Sequence, residues 1–177
     1  TKTHDMRSLS FLFATLFVLT ATVASAQCGL FFSEYAEGSS NNKYLEIYNP
    51  TGEDISLDGY AFPSVSNAPA TPGTHEYWNT FTPGASVAAG GVYVITHGSA
   101  DAAILAFADQ NHTYLSNGDD GYALVFGTEE DYVFIDVIGN FEADPGSGWE
   151  VAGTANGTKD HTLVRKGGVN AGVGYDW

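Results

Sequence analysis

The chain has 177 residues, and its 21 acidic side chains outnumber the 6 lysines and arginines, which gives a formal net charge of −15. Because binding to nucleic acid or to anionic lipid depends on lysine and arginine, this composition argues against both as direct partners. A hydrophobic fraction of 44% and an aromatic fraction of 14% exclude an intrinsically disordered chain. A single cysteine excludes an internal disulfide.

The N-terminal residues have the pattern of a secretory signal peptide. Lys2 and Arg7 supply a positive region, residues 11–23 form an uncharged and mostly apolar run, and Ala24-Ser25-Ala26 offers small residues to signal peptidase. As a helix this run would rise only ~20 Å, whereas a membrane anchor must cross ~30 Å of hydrocarbon. We therefore expect residues 1–26 to be cleaved and the rest to be secreted, periplasmic or displayed on the cell surface, without membrane contact. The mature net charge is then −16, because the leader carries a net +1.

After the leader, apolar residues come in runs of strand length, separated by Gly, Pro, Asn and Asp. The run at 43–48 is the clearest, because Leu45 and Ile47 alternate with more polar residues, as expected for a strand with one buried face. One helix is predicted over 99–109, where Ser99 can cap the first turn. The predicted strands are 30–35, 43–48, 55–62, 75–81, 92–97, 122–126, 132–138 and 161–165.

Many short strands with a single short helix indicate an all-β sandwich, formed by one domain over residues 27–177 and preceded by the signal-peptide helix. The Gly-rich stretch 167–177 has no strand behind it. We therefore expect a sandwich that is truncated at its C-terminus and lacks its last strand, which would leave an edge open for pairing.

The stretch 32–50, FSEYAEGSSNNKYLEIYNP, resembles the opening hairpin of the bacterial lamin-tail domain family. Further matching stretches follow in the same order: 91–97, 117–126, 134–139, 146–151 and 162–166. The resemblance covers nearly all of residues 29–177 and implies an immunoglobulin-like β-sandwich. It also implies a module found beside extracellular nucleases, phosphatases and adhesive or sorting domains, without agreed catalytic residues. Fold alone does not fix function, so these are expectations by analogy.

Two glutamates are the first candidate metal ligands. If strands 30–35 and 43–48 form a hairpin, Glu34 and Glu46 come close on one face, where two carboxylates repel each other unless a cation lies between them. Lys43 and a Ca²⁺ ion are the candidate cations. The alternative is structural: Glu46 accepts hydrogen bonds from backbone N–H groups of the neighbouring loop.

Three aspartates extend the candidate calcium set. Asp119 and Asp120 belong to the acidic stretch 117–121, which has calcium-loop composition but lacks the spacing of an EF-hand. A tight turn is the alternative interpretation. Asp136 interrupts the apolar run 133–138 and either faces water or, if buried beside Asp119 or Asp120, favours a metal site.

The aromatic residues provide a candidate binding surface. Tyr77 and Trp78 lie together near Phe81, and such rings can stack on sugars or anchor a protein partner. Tyr114 and Trp149 lie near turns, and packing in the core is the alternative for all of these residues. The histidines of the mature chain show no metal-ligand spacing and are interpreted as surface or rim residues.

These observations predict a non-catalytic accessory module, positioned before a catalytic domain such as an extracellular nuclease or phosphatase. No cofactor is expected, with Ca²⁺ as the open alternative. The expected partner is a downstream domain of the same polypeptide, another extracellular protein or a polysaccharide. Two alternative functions remain open: a calcium-dependent extracellular hydrolase that uses Glu34 and Glu46, and an adhesive or carbohydrate-binding surface protein.

Overall fold

The computed structural model describes residues 29–177, so the predicted signal peptide at 1–26 lies outside the described residues. These residues form short strands and one short helix, and none of their helices has the length and apolarity needed to cross a bilayer. The elements are β1 (Phe31–Glu37), β2 (Lys43–Tyr48), β3 (Ile55–Ser56), β4 (Tyr60–Ala61), β5 (Ser64–Val65), β6 (Ser86–Val87), β7 (Val92–Thr96), α1 (Ala102–Leu105), β8 (Gln110–Asn111), β9 (Gly121–Thr128), β10 (Asp131–Ile138) and β11 (Thr162–Val164).

The strands form two main sheets and a small third one. The first sheet has the order β11-β1-β2-β7-β8, and the second has the order β10-β9-β4 with β5 also paired to β9. The pair β3-β6 forms the third. All pairs are antiparallel except β7 with β8. This all-β architecture confirms the predicted fold class.

The main core lies between the two larger sheets. Leu45, Ile47 and Ile95 of the first sheet are fully buried and belong to the same cluster as Tyr122 and Leu124 of the second. The alternation of Leu45 and Ile47 with half-buried neighbours confirms the predicted inward face of β2. Each such side chain contributes roughly 1.5–3 kcal/mol by its removal from water.

The second sheet is also covered on its outer face. Ala123, Val125 and Val137 point away from the main core and form a second buried cluster with Phe141. Partly buried aromatic rings pack against this cluster: Tyr132 and Phe134 of β10, Trp78 from a loop and Tyr175 from the C-terminal segment. This second layer holds the segment around Trp78 against the sandwich.

Two of the predicted strands differ from the structure. The run 55–62 is divided between β3 and β4, because a turn closed by the Tyr60 N–H and the Leu57 carbonyl interrupts it, with Gly59 at φ +84°. The run 75–81 makes only isolated bridges at Tyr77 and Thr80. Its facing segment contains Pro63, which has no N–H to continue a ladder.

The helix is shorter than predicted, spanning only Ala102–Leu105 without a buried residue, and Asp101 occupies the N-cap position instead of Ser99. The Asp101 carboxylate does not cap the helix but accepts a hydrogen bond from the Asn42 amide at 2.8 Å. Beyond the helix, Asp109 pairs with Val94 of β7 through both its N–H and its carboxylate. These pairings require extended backbone and end the helix early.

Candidate functional site

Glu34 and Glu46 are direct partners across the β1–β2 hairpin, as predicted. Directly opposite residues of an antiparallel pair have their side chains on the same face. Both side chains are half-buried, and they line a groove of about 550 Å³ together with Tyr44, Phe107 and Asp109. The hairpin therefore brings the two carboxylates together.

The two carboxylates are held by hydroxyl groups. The Tyr44 hydroxyl donates to Glu34 Oε2 at 2.7 Å, and the Ser33 hydroxyl donates to Glu46 Oε1 at 2.7 Å. The expectation that Glu46 binds loop N–H groups is therefore wrong. Burial, and then the hydrogen bond to Glu34, raises the pKa of Tyr44 and keeps its hydroxyl proton in place as the donor.

Lys43 does not lie between the two glutamates. It lies on the same side of β2 as Leu45, whereas Glu46 lies on the opposite side, since successive residues of a strand alternate. Its ammonium group is buried and donates to the Ser116 carbonyl at 2.5 Å and to Asn117 Oδ1 at 3.1 Å, with Glu37 Oε1 at 3.9 Å. Lys43 therefore braces the turn before β9 instead of neutralising the glutamate pair.

Asp119 and Asp120 lie in a tight turn, as the structural interpretation predicted. The Asp120 N–H donates to the Asn117 carbonyl at 3.1 Å, and the Asp120 carboxylate accepts from the Asn117 N–H at 2.9 Å. Asp120 is buried, and burial raises its pKa to about 7 against the lowering effect of the Asn117 hydrogen bond. Asp119 and Glu37 raise it further, and Lys43 lowers it.

Asp136 is fully buried, so the expectation that it faces water is wrong. The register of β10 against β9 shifts between Phe134 and Asp136, and this irregularity breaks the alternation on which the expectation was based. Its carboxylate accepts hydrogen bonds from Arg165 Nη2 at 2.6 Å, from the Phe32 N–H at 2.9 Å and from the Val173 N–H at 3.0 Å.

The acids predicted as calcium ligands have separate surroundings. Glu34 and Glu46 share the outer face of the hairpin, Asp119 and Asp120 share a turn, and Asp136 pairs with Arg165. Within residues 29–177 no group of three or more His, Cys, Asp and Glu side chains could hold a metal ion. Asp136 lies beside Arg165 and not beside Asp119 or Asp120, which was the arrangement that would have favoured a metal site.

Aromatic side chains line an open groove of about 580 Å³ on another part of the surface. Tyr77 and Trp78 come from the segment before Phe81, and Tyr114 comes from the segment after β8. Tyr77 is 54% exposed and Tyr114 is 82% exposed. The lining of this surface, called the aromatic groove below, comprises Glu76, Tyr77, Trp78, Asn79, Asn111, His112, Thr113, Tyr114 and Glu129.

The other aromatic candidates belong to the interior. Phe81 and Trp149 are buried, which confirms the core interpretation for Trp149. The Trp149 indole N–H donates to the Asp120 carbonyl at 3.1 Å. Trp78 is half-buried, with its ring 5.2 Å from the rings of both His75 and Tyr132. Of the aromatic candidates, Tyr77, Tyr114 and part of Trp78 therefore remain as an exposed surface.

His112 lies at the inner side of the aromatic groove. Its ring makes an edge contact with Phe62 at 5.3 Å, and its Nε2 is buried without a hydrogen-bond partner among the described residues. Burial lowers the pKa of His112, and the nearby His97 lowers it further. The imidazole is therefore neutral at pH 7 and adds no positive charge to the groove.

Sequence reasoning missed the partners of the candidate residues. Tyr44 shares its face of β2 with Glu46, so the period of two could have assigned it to the glutamate pair. Arg165 carries no such local signal, because its partner Asp136 is far away in sequence. Tyr114, a candidate of the sequence analysis, lines the groove together with residues of the 76–79 segment.

The fold defines an immunoglobulin-like β-sandwich domain, in which Glu34, Glu46, Asp120 and Asp136 accept hydrogen bonds from other residues of the domain. The sequence model of the Lamin Tail Domain family matches residues 23–140, more than half of the chain, and the chain belongs to this family. The family resemblance is thereby confirmed, while a bacterial origin stays a prediction. No curated protein matches the chain.

Proposed function

We propose that the chain is a non-catalytic accessory module of a secreted protein, which binds or positions a partner next to a catalytic domain such as a nuclease or phosphatase. The supporting observation is the way in which its acids are used. Glu34, Glu46, Asp120 and Asp136 each accept a hydrogen bond from a protein donor, so these carboxylates are engaged in contacts within the sandwich. A structural role of this kind agrees with membership of an immunoglobulin-like domain family.

A catalytic role requires a different use of the same groups. A carboxylate that activates water or holds a metal needs an oxygen directed at substrate and a pKa matched to that task. Among the aspartates of residues 29–177, burial raises the pKa of Asp136, which is paired with Arg165, and raises that of Asp120 to about 7. Asp120 is buried in the Asn117 turn and is 8% exposed. Its perturbed pKa is explained by burial in the turn, without a catalytic role.

An activity assay on the exported protein tests this proposal. The chain is expressed with its own leader in an exporting bacterial host, purified, and incubated with DNA and with a chromogenic phosphodiester in the presence of Ca²⁺, Mg²⁺ or EDTA. We expect no turnover above that of a heat-denatured control. The N-terminus of the purified protein, determined by mass spectrometry, is expected at Gln27.

The double variant E34A/E46A is the matched control for the calcium-dependent hydrolase. Metal-dependent cleavage by the wild-type protein that disappears in E34A/E46A, with the melting temperature unchanged, would replace the module proposal by an enzymatic one. The proposed role beside a catalytic domain is tested separately by the reading frame after codon 177. A catalytic domain in that frame is expected, and an immediate stop codon would contradict that part of the proposal.

A further inference from the structure

We propose that the aromatic groove binds a neutral polysaccharide, with Tyr77 and Tyr114 as the two rings on which sugar units stack. This inference rests on the proposed function as a binding module and specifies its ligand. The two tyrosines expose 54% and 82% of their surface while lining the same groove of about 580 Å³. Known small-molecule sites fall roughly between 300 and 1,000 Å³ and are lined by aromatic rings with a few polar groups.

Both tyrosines are attached to the sandwich through their backbones. Tyr77 exchanges two hydrogen bonds with Ser64 of β5, N–H to carbonyl at 3.1 Å and carbonyl to N–H at 2.9 Å. The Tyr114 carbonyl accepts a hydrogen bond from the buried Tyr122 hydroxyl at 2.8 Å. The bases of the two rings are therefore fixed before a ligand arrives, which reduces the entropy lost on binding.

Trp78 supplies a third aromatic surface in the lining of the groove. Its ring packs at 5.2 Å against both His75 and Tyr132, and Tyr132 belongs to the covered outer face of the second sheet. Aromatic rings present a partly negative face, and the C–H groups on one side of a sugar ring are weakly positive. The exposed faces of such rings are therefore complementary to the C–H faces of sugar units.

The polar lining favours hydroxyl groups over charged groups. Asn111 and Thr113 offer amide and hydroxyl groups, and Asn79 offers its amide oxygen, because its amide nitrogen donates to the Phe62 carbonyl and the Ser64 hydroxyl. The groove lining contains no lysine or arginine. Glu76 and Glu129 add carboxylates, which accept hydrogen bonds from sugar hydroxyls but repel uronate, sulfate and phosphate. The ligand class is therefore a neutral glycan, and neither an anionic glycan nor a nucleic acid.

Affinity electrophoresis of the purified full chain provides the test. The gels contain starch, cellulose derivative, xylan, mannan or β-1,3-glucan as neutral probes, with alginate and heparin as anionic probes. We expect retardation by at least one neutral polysaccharide and none by the anionic probes. Y114A and Y77A are each expected to weaken that binding about tenfold or more, as removal of a stacking ring does in comparable sites.

The matched control is F107A, which removes another ring that is 75% exposed but does not line this groove. F107A should bind like the wild-type protein, and far-UV circular dichroism should be the same for all variants. Trp78 is not substituted, because its ring also packs in the second cluster.

Several outcomes would overturn the inference: no retardation by any neutral probe, retardation by anionic probes only, or an equal loss in F107A. Capture of a protein partner that depends on Tyr114, without glycan binding, would also overturn it in favour of protein recognition. Hydrolysis of a retained polysaccharide would instead refute the non-catalytic function and leave the groove assignment intact. The two proposals therefore fail in distinguishable ways.

Discussion

Asp136 links the two larger sheets through a hydrogen bond and an ion pair. It belongs to β10 of the second sheet, and its carboxylate accepts hydrogen bonds from the Phe32 N–H of β1 in the first sheet and from Arg165 just after β11. Burial raises the pKa of Asp136, and Arg165 opposes that effect. A buried charge is tolerated only when it is paired and hydrogen-bonded, so the position of Arg165 is part of the fold.

Asp120 makes stability depend on pH, and D120N tests this. Burial raises the folded-state pKa of Asp120 from 3.8 to about 7, so the folded state holds this proton more tightly than the unfolded state. The stabilising effect of the proton is fully present below pH 3.8 and is lost as pH rises through about 7. Relative to wild type, D120N should therefore gain about 1–2 kcal/mol in unfolding free energy between pH 4 and pH 8.

Urea unfolding at several pH values, followed by tryptophan fluorescence, measures this difference. D144N is the control, because it removes one negative charge at an exposed position. Its difference from wild type should change less with pH than that of D120N. If the difference in unfolding free energy between D120N and wild type does not change with pH, or becomes less favourable as pH rises, Asp120 does not titrate in this range.

The positions of individual residues could be predicted where they depend only on nearby residues in the sequence. The facing positions of Glu34 and Glu46 follow from the hairpin and from a period of two within β2. The burial of Asp136 was not predictable, because it depends on a register shift against β9 and on Arg165, which lies 29 residues further along the chain. Sequence periodicity carries no information about such a partner.

At the scale of elements, β2 was predicted with its observed bounds, whereas the helix was predicted too long. Lys43–Tyr48 is central in the first sheet, so both its burial pattern and its pairing agree with its own sequence. The segment 106–109 has helical composition, but Asp109 at its end pairs with Val94 of β7, and this pairing overrides that preference. Short peripheral elements gain more from pairing with the sandwich than from their own propensity.

The long segment between β10 and β11 is anchored by Trp149. The Trp149 backbone N–H donates to the Thr158 hydroxyl at 2.7 Å, and the Thr158 hydroxyl donates to the Gly118 carbonyl at 2.5 Å. Gly139 lies directly beneath the indole, where an added Cβ would be 2.3 Å from Nε1. These contacts therefore attach the turn-rich segment between β10 and β11 to the turn that precedes β9.

G139A tests this anchor. Gly139 has φ +71°, and an alanine there would combine a strained backbone with the clash against Trp149. We expect a loss of roughly 2–4 kcal/mol in unfolding free energy and a shift in the emission of the displaced indole.

G146A separates the two causes. Gly146 has φ +92° but no heavy atom within 4 Å of the position of its Cβ, so alanine there adds only the backbone strain of about 1 kcal/mol. Both variants are compared by urea unfolding. Equal losses in G139A and G146A would mean that the contact with Trp149 does not anchor the segment.

At the scale of the whole molecule, the surface is more acidic than the composition implies, because some of the lysine and arginine side chains are buried or half-buried. Of the lysines and arginines in residues 29–177, Lys43 is buried and Arg165 is half-buried beside Asp136. Lys159 and Lys166 are exposed, together with many exposed carboxylates. Such a surface favours solubility and repels polyanions, but its self-repulsion opposes the compact state.

This repulsion predicts a stability that rises with salt. The melting temperature should increase by about 2–4 °C between 0.02 M and 0.3 M NaCl, with most of the gain below 0.15 M, where the Debye length reaches about 8 Å. The buried Arg165–Asp136 pair is screened much less and should not offset the gain. The charge-reduced variant E130Q/E150Q, altered at two exposed positions, should show a smaller increase. A melting temperature that falls, or that climbs linearly to 1 M, would mean that surface repulsion does not limit the stability of the sandwich.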